Sequence, residues 1–271
     1  MRYVAPARGL VDTQVFARMP MVAWQEYAAL LQGESWPTID MLNTLWPASA
    51  VTRFVAQNVA LLADGMHYEQ RIAQCGNIAT REGNWHDLLN ALVWLRRPEL
   101  KRALNQRQVA EIAAMGPKQR SRAQYALTHC DEGGLIVAVR DSELLKLWDM
   151  HDWHGLFWRH RQAWRDGSIR VELFGHALLE QALTPTQLLV GKALVFQCDG
   201  DIDMLRVWDE CREGVVSGRL LRDPLELRPL PLAGIPGWHP ANDDESFHLD
   251  TACYQPRRAG REYPDVPRLS A

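Results

Sequence analysis

At 271 residues and 47% hydrophobic content the chain can bury one substantial core, and a formal charge of -3 argues against a globally basic nucleic-acid binder. The five cysteines, Cys75, Cys130, Cys198, Cys211 and Cys253, are scattered and odd in number and form no C-x-x-C pair, so they suggest neither a disulfide framework nor a zinc site. The opening residues lack an apolar leader core, and the longest apolar runs are too short to span a bilayer; the expectation is a cytoplasmic protein without membrane contact.

To about Leu62, apolar segments such as MVAWQEYAALLQ and IDMLNTLW are punctuated by Pro20, Pro37 and Pro47, which predicts short helices broken by turns. In GMHYEQRIAQCGNI, the alternation of Met66, Tyr68 and Ile72 with His67, Glu69 and Arg71 favours a strand. REGNWHDLLNALVWL reads as a buried helix, with Asn84 as N-cap and Asp87 approximating a capping box. PELKRALN, QRQVAEIAAM and RSRAQYAL are three helix-like pieces, punctuated by Asn105 and by Gly116-Pro117.

Leu135 to Val139 follows Gly133-Gly134 and is rich in β-branched residues, so it is expected to be a buried strand. Helix returns in SELLKLW and DWHGLFWRHRQAW, a strand in SIRVELF, and helix again in GHALLEQAL. From Asp223 the chain is Pro-rich. The expected fold is α+β, mostly helical with a few short strands. Residues 1–222 form one globular domain, and 223–271 form a wrapping segment of that same domain whose last ten or so residues are mobile. The eleven Trp are expected mainly in the core.

Several polar motifs sit inside apolar sequence. His86 and Asn90 share a helix face at i and i+4, with Asp87 beside Asn90. A buried polar group left unsatisfied costs about 1 to 3 kcal/mol, so these side chains either tie the helix to its neighbours or line a cavity. His176 and Glu180 repeat the i, i+4 spacing in FGHALLEQAL, and a neutral imidazole with a carboxylate suits zinc, iron or manganese. Asp131 and Glu132 are expected in a turn ahead of the buried strand, where mutual repulsion raises one pKa and makes a general base available.

Other motifs carry less. His151, His154 and His160, set among Trp148, Trp153, Phe157 and Trp158, match no zinc signature. Asp199, Asp201, Asp203 and Glu210 fall in an EF-hand register, but Met204 occupies the position that needs Gly, and Asp201 or Asp203 is more simply a helix N-cap. Eight bases lie between Arg96 and Arg122, against Glu99 and Glu111; such runs are usually solvated helix faces. There is no G-x-S-x-G, Walker A or G-x-G-x-x-G motif.

The blocks YEQRI, TREGNWHDLLNALVWLRRPELKRALN, ALTHCDEGG, LFWRHR, FGHALLEQAL, PGWHPAN and FHLDTACYQPRR resemble the uncharacterised bacterial family known as domain of unknown function 3025. The resemblance spans about Tyr68 to Arg258. It implies a single-domain fold and transfers no catalytic residue; Tyr125 and Cys130 depart from the residues expected at their positions.

The leading expectation is an intracellular, metal-assisted hydrolase. Its candidate catalytic residues are His86, Asp87, Asn90, Asp131, Glu132, His176 and Glu180, with Arg81 and Trp85 binding ligand. A metal, if bound, falls to His86, His176 and Glu180. The alternative is a binding or scaffold protein in which these residues form a structural network. The partner is a small molecule or a protein, with nucleic acid ranked last, and no particular cofactor is indicated.

Overall fold

The computed structural model describes residues 3–116 and 119–270. Pro117 and Lys118, which entered the sequence reading as a breaker and as one of the clustered bases, lie outside the described residues. Up to Ala50 the chain runs through short 3-10 turns, Thr13–Ala17 and Met21–Tyr27 among them, and the one-turn helices Ala28–Gln32 and Ile39–Asn43. This agrees with proline punctuation. Strand β1 (Arg53–Ala56), which the pattern did not announce, is followed by helix α1 (Tyr68–Cys75) and strand β2 (Asn77–Thr80); the two strands pair in parallel with Phe54 opposite Ile78.

α1 corrects the expected strand. The alternation had put Arg71 outward, but Arg71 is buried, bonding the Leu61 carbonyl and Asp64, and so cannot mark a solvated strand face. His67 caps the helix start, and Gly76, at φ +68°, ends it in the left-handed conformation. A Cβ at Gly76 would lie 2.4 Å from the Val51 carbonyl oxygen, so the turn admits only glycine.

Helix α2 (Trp85–Arg96) starts where expected, with the Asn84 side chain accepting from the Asp87 amide. Asp87 does not complete a capping box: its carboxylate turns back to the Arg81 amide and guanidinium. Helix α3 (Pro98–Met115) runs unbroken through Asn105, correcting the two expected pieces; Asn105 is tolerated because its amide donates to the Glu69 carbonyl and carboxylate. A reciprocal Ser121–Gln124 capping box opens helix α4 (Arg122–Gly133). This helix extends through Asp131 and Glu132, which therefore lie in its last turn and not in the expected loop.

Strand β3 (Gly134–Val139) is buried at every position, as an apolar run covered on both faces requires. It is followed by helix α5 (Ser142–Met150), an irregular turn over Gly155–Arg159 with the short helix Arg161–Arg165, strand β4 (Ile169–Leu173) and helix α6 (His176–Gln181). Strand β5 (Val190–Cys198), helix α7 (Met204–Val216) and strands β6 (Leu227–Pro231) and β7 (Arg268–Leu269) complete the ordered elements used below. Asp203 caps α7, as its spacing suggested.

The main sheet has the order β4-β3-β5-β6. β3 runs antiparallel to β4 and parallel to β5, while β6 and β7 pair along β5. The architecture is α+β. Buried apolar side chains from Val15 to Ile235 form one cluster around the sheet and α2.

Parts of the C-terminal segment are anchored on the main sheet and on α5. β7 joins the sheet, and Arg228, 2% exposed, makes two bonds to Asp149 and one to the Pro264 carbonyl. No helix among the described residues is long and apolar enough to cross a membrane.

Candidate metal centre

Two elements distant in sequence meet at α2 and α6. Phe174 and Gly175 both donate their amides to the Gly134 carbonyl, locking the start of α6 against the junction of α4 and β3. A Cβ on Gly175 would lie 2.4 Å from the Gly134 nitrogen and 2.6 Å from the Glu132 carbonyl oxygen; only glycine permits this approach. It sets His176 beside Asp131 and Glu132, and the packing of α6 on α2 sets it against His86.

His86 Nε2 and His176 Nε2 lie 3.1 Å apart, with the rings at 75°. Glu132 Oε2 is 3.6 Å from His176 Nε2 and 4.0 Å from His86 Nε2. These three atoms form a compact triad suited to a cation. Behind them, Glu180 Oε2 accepts from His86 Nδ1 at 3.0 Å, and Asp131 Oδ2 faces His176 Nδ1 at 3.9 Å. Glu180, the carboxylate expected as third ligand from its helical spacing, thus stands on the far side of the His86 ring, and Glu132 takes the position facing both Nε2 atoms.

The hydrogen-bond pattern assigns the tautomers. Glu180 needs a proton on His86 Nδ1, which leaves only a lone pair on the Nε2 of neutral His86. His176 Nδ1 is buried without a hydrogen-bond partner and faces the Asp131 carboxylate, which favours a proton there and a lone pair on its Nε2 as well. Two lone pairs 3.1 Å apart repel unless a cation, either a proton or a metal ion, lies between them.

The electrostatics follow the same geometry. The hydrogen bond that His86 donates to Glu180 raises the His86 pKa, outweighing its desolvation, with Glu132 adding to the rise. Burial pushes His176 down to about 3, so it stays neutral. Burial and the nearby Asp131 charge raise the Glu132 carboxyl. Asp131 is desolvated too, yet the charge and hydrogen bond of Lys101 hold it below the usual carboxylate range.

Lys101 is the principal residue missed in the sequence. Its side chain is 4% exposed and its ammonium bonds Asp131 Oδ1 at 2.5 Å and Asn90 Oδ1 at 2.8 Å. Asn90 in turn donates to the Tyr68 hydroxyl at 3.1 Å. The signal was present: Lys101, Asn105 and Gln108 sit at i, i+4 and i+7 on one face of α3, and all three are buried. Counting Lys101 among a run of surface bases hid it. The other described bases of that run are engaged as well, Arg96 with Glu26, Arg97 with Glu172, Arg102 with Glu99, Arg107 with Glu111, Arg120 with the Thr128 hydroxyl and Arg122 with Asp223.

A cleft of about 250 Å³ opens on the triad. His86, Asp131, Glu132 and His176 form one end; Tyr68, Glu69, Asn90, Asn105, Gln108 and Thr128 continue it, and Arg81 and Asp87 stand at its wall. Among the sequence candidates, Asp87 is engaged in holding Arg81, and Asn90 bridges Lys101 and Tyr68. Trp85 is elsewhere. It is 4% exposed, packs on Trp36 and Phe16, and donates its indole N–H to the Pro6 carbonyl, so it belongs to the core and not to the cleft.

The family described as protein of unknown function (DUF3025) matches residues 52–258. The match takes in every residue of the cleft and covers well over half of the chain, which therefore belongs to that family. No curated protein and no solved structure matches the chain.

Proposed function

We propose that this protein is a metal-assisted hydrolase in which one divalent ion is held by His86 Nε2, His176 Nε2 and a Glu132 carboxylate oxygen. The observation that carries this reading is the triangle of 3.1, 3.6 and 4.0 Å between those atoms. Its centre is about 2.1 Å from each corner, the distance at which imidazole and carboxylate bind zinc. A metal held there by His86, His176 and Glu132 would supply Lewis-acid chemistry and would lower the pKa of water beside the cleft. Glu180, behind the His86 ring, orients it and raises its basicity, while Asp131 faces Nδ1 of the His176 ring.

The remaining cleft wall sets amides, hydroxyls and carboxyls beside Ala79, Trp94, Leu104 and Leu127, which suits a substrate that carries hydrogen-bonding groups on a partly apolar body. Lys101 is committed to Asp131 and Asn90 and acts as a positioning residue. Arg81, held by Asp87, is the candidate for orienting an anionic substrate group. The cysteines are free and four of the five are buried, which fits a reducing compartment; we place the protein in the cytoplasm.

The second reading, a binding or scaffold protein, draws on the same bonds: a proton on His86 Nε2 also relieves the lone-pair conflict and leaves a satisfied structural network. Metal loading combined with an assay separates the two. The hydrolase reading expects hydrolysis of an ester or phosphoester panel that is lost with a chelator and restored by zinc or manganese. A chain that takes up neither metal and folds unchanged with both ions absent supports the network.

A further inference from the structure

A second cavity, of about 350 Å³, lies between β5, β6 and the C-terminal segment. Its walls are unlike those of the cleft. Val190, Leu227, Pro229, Pro231, Pro256 and Trp153 supply apolar surface, and Lys192, Arg258 and Arg261 border it with three positive charges and no carboxylate.

Several other cations are matched, as Arg71 is to Asp64, Arg97 to Glu172, Lys101 to Asp131 and Arg228 to Asp149. Among the described residues, no carboxylate lies within ion-pair distance of Lys192, Arg258 or Arg261. Arg261 Nε is moreover buried without a hydrogen-bond partner. Desolvation and the like charges of Arg261 and Arg258 hold the Lys192 ammonium below its usual pKa. Crowded like charges beside apolar walls cost stability that an anion recovers.

One wall is built from a fixed set of bonds. His151 Nδ1 and the Trp153 indole both donate to the Gln255 carbonyl, at 3.0 and 2.9 Å, so His151 Nε2 accepts from the Tyr263 hydroxyl at 2.8 Å. The Arg261 and Arg228 guanidinium groups each lie 5.0 Å from the Tyr263 ring centroid. This holds Arg261 at the cavity edge.

We propose that this cavity is a binding site for a small organic anion, a phosphate or carboxylate on an apolar or aromatic body, with Lys192, Arg258 and Arg261 taking the charge and Trp153 and the prolines taking the body. It is independent of the metal centre. The size suits a small-molecule ligand.

Phenyl phosphate, benzoate and inorganic phosphate, titrated separately into the full chain while the Trp153 indole N–H resonance is followed, test this. The proposal expects saturable shifts with phenyl phosphate or benzoate, whichever binds tighter naming the charged group, and affinity at least about tenfold above that of inorganic phosphate. Lys192→Gln with Arg261→Gln should weaken binding at least tenfold, and Arg53→Gln should not. If the double variant fails to fold, the exposed single change Arg258→Gln must still weaken binding. Absence of a saturable shift with either organic anion, or equal affinity in folded variants, overturns the proposal.

Discussion

His86 Nε2 and His176 Nε2 face each other at 3.1 Å although 90 residues separate them in sequence. Each ring is backed by a carboxylate, Glu180 behind His86 and Asp131 behind His176. Glu180 holds a proton on His86 Nδ1 and the Asp131 charge favours one on His176 Nδ1, which leaves both inner nitrogens available to a single cation.

Glu180→Gln keeps an oxygen that can accept from His86 Nδ1 but removes the charge behind it. Where Glu180 orients and polarises a metal ligand, zinc affinity measured by competition with a chromophoric chelator falls about 10- to 100-fold. Unchanged affinity assigns Glu180 to packing alone.

Gly175→Ala forces a methyl group to within 2.4 to 2.6 Å of backbone atoms at Glu132, Gly133 and Gly134. Backbone cannot yield there without displacing α6, so urea denaturation should show a loss of about 1 to 3 kcal/mol. Metal affinity should fall as well, because the displaced helix carries His176. Full stability in this variant contradicts the close approach.

Lys101→Met strands the Asp131 carboxylate beside a buried ring without its cation. Breaking a buried pair on one side costs about 3 to 5 kcal/mol, and pairing the change with Asp131→Asn should recover a large part of it. Equal losses in the single and double variants would mean that the ion pair is not what holds the end of α4.

Glu69 gives the stability a pH dependence. Burial is the largest cause and lifts its carboxyl from 4.5 to about 7, against the bond from Asn105. A folded-state pKa above the unfolded value means that the folded chain holds the proton more tightly. The contribution is complete below about pH 4.5 and is lost as pH rises through 7. Relative to Glu69→Gln, the wild-type chain should lose stability between pH 4.5 and 7 and then level off, as read by thermal melts across that range. A constant difference between the two proteins contradicts the assignment.

What the sequence made legible was local. Asn84 as a cap, the buried strand after Gly133-Gly134 and the SIRVELF strand follow from residue types and neighbours, and each is seen. The glycine pair after Asp131 and Glu132 signals a turn, whereas α4 carries its last turn through Gly133 before entering β3. β5 passed unseen in VGKALVFQC, where Gly191 and Lys192 interrupt the apolar run; the glycine is there because a Cβ would strike the Leu135 side chain of β3. Lys101 was invisible for a different reason. A lysine in a charged helix reads as solvated, and only the tertiary pairing with Asp131 explains its burial.

Spacing alone could not decide which carboxylate faces the two inner nitrogens. His176 and Glu180 share a helix face, which suggested joint coordination, but the two sides of the His86 ring divide Glu180 from Glu132. Which carboxylate meets the inner nitrogens depends on where α4 ends relative to α6, and Gly175 decides that.

The most direct test is metal stoichiometry. Purified protein is stripped with a chelator, reloaded with zinc, dialysed and analysed by mass spectrometry, beside His86→Ala, His176→Ala and Glu132→Gln variants shown by circular dichroism to be folded. The account predicts about one zinc per chain in the wild type, with retention abolished in both histidine variants and weakened in Glu132→Gln. A wild-type chain that retains no metal, or histidine variants that retain as much as the wild type, would contradict it.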